Sequence, residues 1–140
     1  MESIRLGTAA LSDAALVKEF ESCRLPAAQF HHADHIRLAW ILLGRMSEPE
    51  ATRRIVRAIR RFAVHHGVSE KYHHTITLAW MRLVSSARHS TPEVRDFESF
   101  AARHPDLLDV KALNRHYTPE LLASRAAKEE WAEADLQPLP

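Results

Sequence analysis

Ten histidines stand in this chain of 140 residues. Seven of them fall in three short strings: Phe30-His31-His32-Ala33-Asp34-His35, His65-His66-Gly67 and Lys71-Tyr72-His73-His74. Two imidazoles at positions i and i+3 of a helix, as His32 and His35 would be, lie over adjacent turns and can ligate one metal ion. His73 from a facing helix would complete a three-histidine set, the usual frame of a catalytic zinc with one position open. His66 as a fourth ligand would close the site and make it structural, or it would shuttle protons. Imidazole also suits Cu, Fe and Ni, so the donor set implies a divalent transition metal and does not choose among the four. Such an ion would act as a Lewis acid or supply a bound hydroxide. Asp34, Glu70 and Tyr72 are the neighbouring groups able to orient a ligand or move a proton. The same residues allow two plainer arrangements. One is a cluster of neutral histidines satisfied by each other and by buried backbone, and the other is a metal-free acid/base pocket. For Asp34, Glu70 and Tyr72 the plain roles are capping and packing.

The elements that must position these side chains read as helices. Ser12-Asp13 is an N-cap signal for a helix to about Ser22, which Leu25-Pro26 breaks. A strongly apolar helix follows over about 31–45. Ser47-Glu48-Pro49-Glu50 restarts the chain, and His66-Gly67 ends that helix. A further helix is expected over about 70–88, another from Thr91-Pro92-Glu93 to near Arg103, and a short one from Thr118-Pro119-Glu120, with an extended tail over about 132–140. Stepping about 100° per residue, His35 falls about 40° and His32 about 100° from His31, within the stripe of Leu38, Ala39, Leu42 and Leu43. In the 70–88 helix His73 falls on the face of Ile76, Trp80 and Val84, while His74 falls outside it. His66 falls on the face of Ile55, Ile59 and Phe62. Short loops make consecutive helices antiparallel, so the start of the first, the end of the second and the start of the third share one end of the bundle. Two helix N-termini aimed at that end favour an anion, although Asp34 and Glu70 already complement them.

Composition sets the outer bounds. The expected fold is all-α, a single-domain up-and-down bundle of four to six helices over 1–140, with Phe30, Trp40, Phe62 and Trp80 in its core. Three glycines are too few for a turn-rich β-sandwich, and the lone Cys23 excludes an internal disulfide and reads as a small apolar residue. A net charge of +1 argues against nucleic acid as partner. Arg53, Arg54, Arg57, Arg60 and Arg61 line one helix face, read as a solvated surface with partners such as Glu48 or Glu50. No apolar run has the length of a membrane span, and Met1-Glu2-Ser3-Ile4-Arg5 has no leader-like character, so the expected location is the cytoplasm. The strings Ile36-Arg37-Leu38-Ala39-Trp40 and Ile76-Thr77-Leu78-Ala79-Trp80 coincide at four apolar positions, a trace of duplication or a convergence of two core helices.

The three histidine strings, with the Trp131 to Pro140 segment, are similar to a group of small uncharacterised bacterial proteins. The resemblance implies a recurring bacterial domain and attaches no reaction to it. The functional expectation therefore rests on the residues. It is a metal-binding helical protein, leaning to a metal-dependent enzyme acting on a small anionic molecule at the histidine end. The alternative is a non-catalytic ligand- or partner-binding module with a buried histidine cluster. A pH-responsive interaction domain is a third possibility, since clustered histidines would charge between about pH 5 and 7.

Overall fold

A computed structural model describes residues 7–140, so the segment read for a leader lies outside the described residues. The described residues form helices and turns and include no strand, an all-α fold as expected. Helix α1 spans Asp13–Glu21, and the Ser12 hydroxyl accepts the Ala15 N–H at 3.1 Å to start it. It ends on Cys23, whose φ of 63° is a left-handed position usually given to glycine. Helix α2 (His32–Leu43) starts with the Asp34 carboxylate accepting the His31 N–H at 2.8 Å. Helix α3 (Glu48–His65) starts on Ser47 and stops where Gly67 takes φ 71° and the Val68 N–H reaches the Ala63 carbonyl at 2.8 Å. Helix α4 spans His74–Ser90.

Contacts fix the directions of these helices. Phe30, just before α2, lies 5.4 Å from Phe62 near the end of α3. Ser85, late in α4, donates to Glu48 at the start of α3 at 2.8 Å. Arg88, later still, donates to the carbonyl of Trp40 near the end of α2 at 3.1 Å. So α3 runs antiparallel to both neighbours, and the starts of α2 and α4 share an end with the close of α3, as the short loops require.

Two helix starts differ from the sequence expectation. Residues Ser69–Lys71 form a separate 3-10 turn, and α4 begins at His74 rather than near Glu70. Thr91-Pro92-Glu93 is a turn; helix α5 is Phe97–Arg103, capped by Asp96, whose carboxylate accepts the Ser99 N–H at 2.8 Å. A hydrogen-bonded cap close to the helix outweighs the generic Thr-Pro signal. After the 3-10 segments Pro105–Leu108 and Val110–Arg115 come two short helices, α6 (Pro119–Ala123) and α7 (Arg125–Glu129). The tail lacks regular structure but is tied down: Leu136 and Gln137 donate to the carbonyls of His116 and Arg115 at 2.9 and 3.1 Å.

The core is aromatic at both ends. Phe20 stacks on Phe30 and on Phe62, each at 4.6 Å between centroids. Trp40 lies 6.0 Å from Phe97 and from Phe100 at the other end. Trp80 is buried between, with the His32 ring 4.5 Å from it. A fully buried side chain such as Phe20 or Phe100 contributes about 1.5–3 kcal/mol. This core holds the histidine-bearing helix ends in place.

Candidate functional site

The histidine-bearing helix ends share one end of the bundle, and their rings divide into two kinds. His32, the first residue of α2, donates from Nε2 to the Leu107 carbonyl at 2.8 Å, which fixes the proton on that nitrogen. Burial holds its pKa below the ordinary histidine range, opposed by that hydrogen bond and by Asp109. His73 is the N-cap of α4: its Nδ1 accepts the Ile76 N–H at 3.1 Å, and its Nε2 donates to the Leu122 carbonyl at 2.8 Å. Both nitrogens of His73 are therefore engaged. These two rings fasten the C-terminal third of the chain to the bundle.

His35 and His66 are different. In each, Nε2 is sealed from solvent and has no hydrogen-bond partner among the described residues. His35 sits one turn along α2, with the Phe30 and His32 rings each 6.4 Å away. Burial, with a smaller push from His32, lowers its pKa to about 4, so it is neutral at pH 7. His66 follows α3 with its ring 4.3 Å from Phe62 and edge-on to His65 at 4.9 Å. Each sealed, unpaired nitrogen costs about 1–3 kcal/mol.

The four rings expected to converge are thus used separately. Among the described residues no group of three or more His, Cys, Asp or Glu side chains is placed to hold a metal ion. The turn at 69–71 explains the position of His73. A residue ahead of the first helical turn does not follow the 100° step, so its ring folds back over the helix start.

The expected acid/base groups are also separated. Asp34 is buried and accepts from the His31 N–H and the Thr8 hydroxyl, a capping role. Tyr72 and the exposed Glu70 line a cleft of about 550 Å³ together with Arg60 and Lys128. The Tyr72 hydroxyl is hydrogen-bonded to His74 Nδ1 at 2.7 Å, and the Arg60 guanidinium lies 4.5 Å over the phenol ring. Burial raises the Tyr72 pKa and, with Arg60 second, lowers that of His74. So His74, read as outward-facing, pairs with Tyr72, which a helix starting at Glu70 would not have shown.

Other histidines also bond to the chain. His89 Nδ1 donates to the Ser85 carbonyl and His116 Nδ1 to the Gln137 carbonyl, each at 2.8 Å. His116 thus pins the tail. The arginine face of α3 finds its partner on α1: Arg54 grips Glu21 through two nitrogens at 2.7 and 2.8 Å, while Glu48 pairs with Arg82.

Comparison with protein-family models, with curated proteins and with solved structures finds no match to this chain. No helix among the described residues is long and apolar enough to cross a membrane.

Proposed function

We propose that this chain is a non-catalytic binding module whose ligand docks on the ring nitrogens of His35 and His66. One observation carries the reading: two imidazole nitrogens at the same end of the bundle are buried without partners among the described residues. Buried polar groups are nearly always satisfied, and two exceptions facing one aromatic cluster call for an external partner. The ring contacts run His35 to Phe30 to Phe62 to His66. A ligand there is small and brings either a metal ion or a hydrogen-bonding group to neutral imidazole. Non-catalytic binding is favoured because Asp34 is engaged in capping and Tyr72 and Glu70 line a separate cleft.

A metal-dependent enzyme is the second reading, and one feature of His32 favours it. With its Nε2 proton on the Leu107 carbonyl, a neutral His32 keeps its Nδ1 lone pair free, the bracing that metal-bound histidines show. The protein would then supply fewer than three ligands, His32 first among them, since among the described residues no group of three His, Cys, Asp or Glu side chains is placed to hold an ion, and His73 serves as the brace of α4. A bound Zn, Cu, Fe or Ni ion would supply Lewis acidity toward a small anion.

The test is titration of nitrogen-labelled protein with Zn, Cu, Fe and Ni salts and with small N–H donors, following each histidine ring by NMR. His35→Ala, His66→Ala and His73→Ala run in parallel. The His35 and His66 resonances should move first, and His73→Ala should keep binding. Binding that His73→Ala abolishes while the fold persists would restore the four-histidine site. Saturation of wild type with no change at His35 or His66 would reject the proposal.

A further inference from the structure

The opposite end of the bundle holds an arginine that makes no ion pair among the described residues. Arg88, near the end of α4, is half-buried, and its guanidinium lies 4.9 Å over the Trp40 ring. One nitrogen donates to the Trp40 carbonyl, its one hydrogen bond among the described residues. Gly44 makes room for it: a Cβ at that position would come within 2.7 Å of the guanidinium. Backbone, aromatic face and a missing side chain thus fix the plane of this cation. Among the described residues no carboxylate pairs with Arg88, and burial alone pushes its pKa down.

Arg88 lines a cleft of about 290 Å³ with Arg45 and Arg95. The acid in that cleft, Asp13, is already held by Arg37 at 2.9 Å. Arg45 and Arg95 are exposed and make no ion pair among the described residues. Trp40, Ile41, Pro92 and Val94 supply an apolar wall. Capping the α2 carbonyls explains one N–H of Arg88 and leaves the others of its five unaccounted for.

We propose that Arg88, Arg45 and Arg95 form a binding site for a small phosphorylated molecule, distinct from the histidine end. The planar fork of arginine matches two phosphate oxygens at once, and three guanidiniums suit a multiply charged anion. The cleft stands at the small end of the usual range for ligand pockets, about 300–1,000 Å³, which favours a compact organic phosphate. Phosphate buried against Trp40 would also relieve the desolvated charge of Arg88.

The test is calorimetric titration of the full chain with inorganic pyrophosphate and with phenyl phosphate, at matched ionic strength, against sodium chloride as blank. Wild type should bind both, pyrophosphate through the charge of the guanidiniums and phenyl phosphate with the added contact of the apolar wall. The double variant Arg45→Ala/Arg95→Ala changes exposed residues alone and should weaken pyrophosphate at least about tenfold. Arg88→Lys keeps the charge without the fork and should lose most of the remaining affinity. If Arg88→Lys does not fold, the double variant decides. No heat from wild type at millimolar pyrophosphate, or a folded double variant that binds as wild type does, overturns the proposal.

Discussion

Ile36, Leu38, Ala39, Trp40 and Leu43 of α2 recur as Ile76, Leu78, Ala79, Trp80 and Leu83 of α4, and in both helices the alanine and tryptophan are buried. The two helices part at the position ahead of that string. In α4 it is Thr75, which is completely buried and completely satisfied: its hydroxyl donates to the Glu130 carbonyl at 2.8 Å and accepts the Ala132 N–H at 3.0 Å. In α2 it is His35, whose Nε2 is sealed and has no partner among the described residues. Thr75 shows how this fold treats a buried polar group that serves structure. His35, beside the Phe30 and His32 rings, departs from that treatment, which is why it, rather than any of the stapling histidines, marks the candidate site.

The largest effects should come from the shared tryptophans. Trp80→Ala and Trp40→Ala should each cost about 3–5 kcal/mol in urea unfolding. Trp40→Ala also removes the face beneath Arg88, so it alone should alter phosphate binding. A loss under about 1 kcal/mol for either variant would break the equivalence of the two helices.

Acid should separate them next. His35 is held at about 4 in the fold against an ordinary 6.5, so unfolding takes up a proton between these values. Its neutral form is fully compatible with folding above about pH 6.5, and stability falls as pH drops from there toward 4, by at most about 3 kcal/mol. Burial lowers the pKa of His32 too and adds in the same direction. In His35→Leu the loss over that window should shrink, while a Thr75 variant should keep the wild-type slope. Equal slopes for wild type and His35→Leu would show that His35 is solvated after all.

At pH 7 the signs should be opposite. Thr75→Val leaves the Glu130 carbonyl and the Ala132 N–H unpaired and should cost about 1–3 kcal/mol. His35→Leu removes an unpaired nitrogen from an apolar setting and should leave stability unchanged or raise it. A clear loss on His35→Leu would mean that the ring is satisfied in solution.

The contrast between these helices was only half legible in the sequence. Local signals were strong where the chemistry is local: Ser12 and Ser47 cap their helices, and Gly67 ends α3 with its positive φ. Loop length then placed the helix ends together, and the all-α fold followed. The site was less legible because its parts are bonded over long sequence distances. His32 reaches Leu107, His73 reaches Leu122 and Thr75 reaches Glu130, and no periodicity encodes such pairs. The start of α4 carries no Ser, Thr, Asp or Asn at the cap, so periodicity alone runs the helix back through Tyr72 and places His73 on its inward face. Arg88 was hidden for a related reason: its setting depends on Gly44 and Trp40, more than 40 residues earlier.

The smallest effect tests that cap directly. The first turn of α4 depends on the His73 ring, whereas the first turn of α2 depends on the Asp34 carboxylate. His73→Ala removes the acceptor for the Ile76 N–H and the donor to Leu122, and should cost about 1–2 kcal/mol in thermal unfolding. His73→Asn keeps a cap acceptor but is too short to donate to Leu122, so it should recover about half of that loss. Hydrogen exchange should separate the two contributions. In His73→Asn the Ile76 amide stays protected while amides of α6 exchange faster, because the staple holding that helix to α4 is gone. If both variants lose protection equally at α6 and at Ile76, the ring acts as one unit and the cap cannot be divided from the staple. If neither loses any, His73 is free to serve elsewhere, and its place among the candidate ligands reopens.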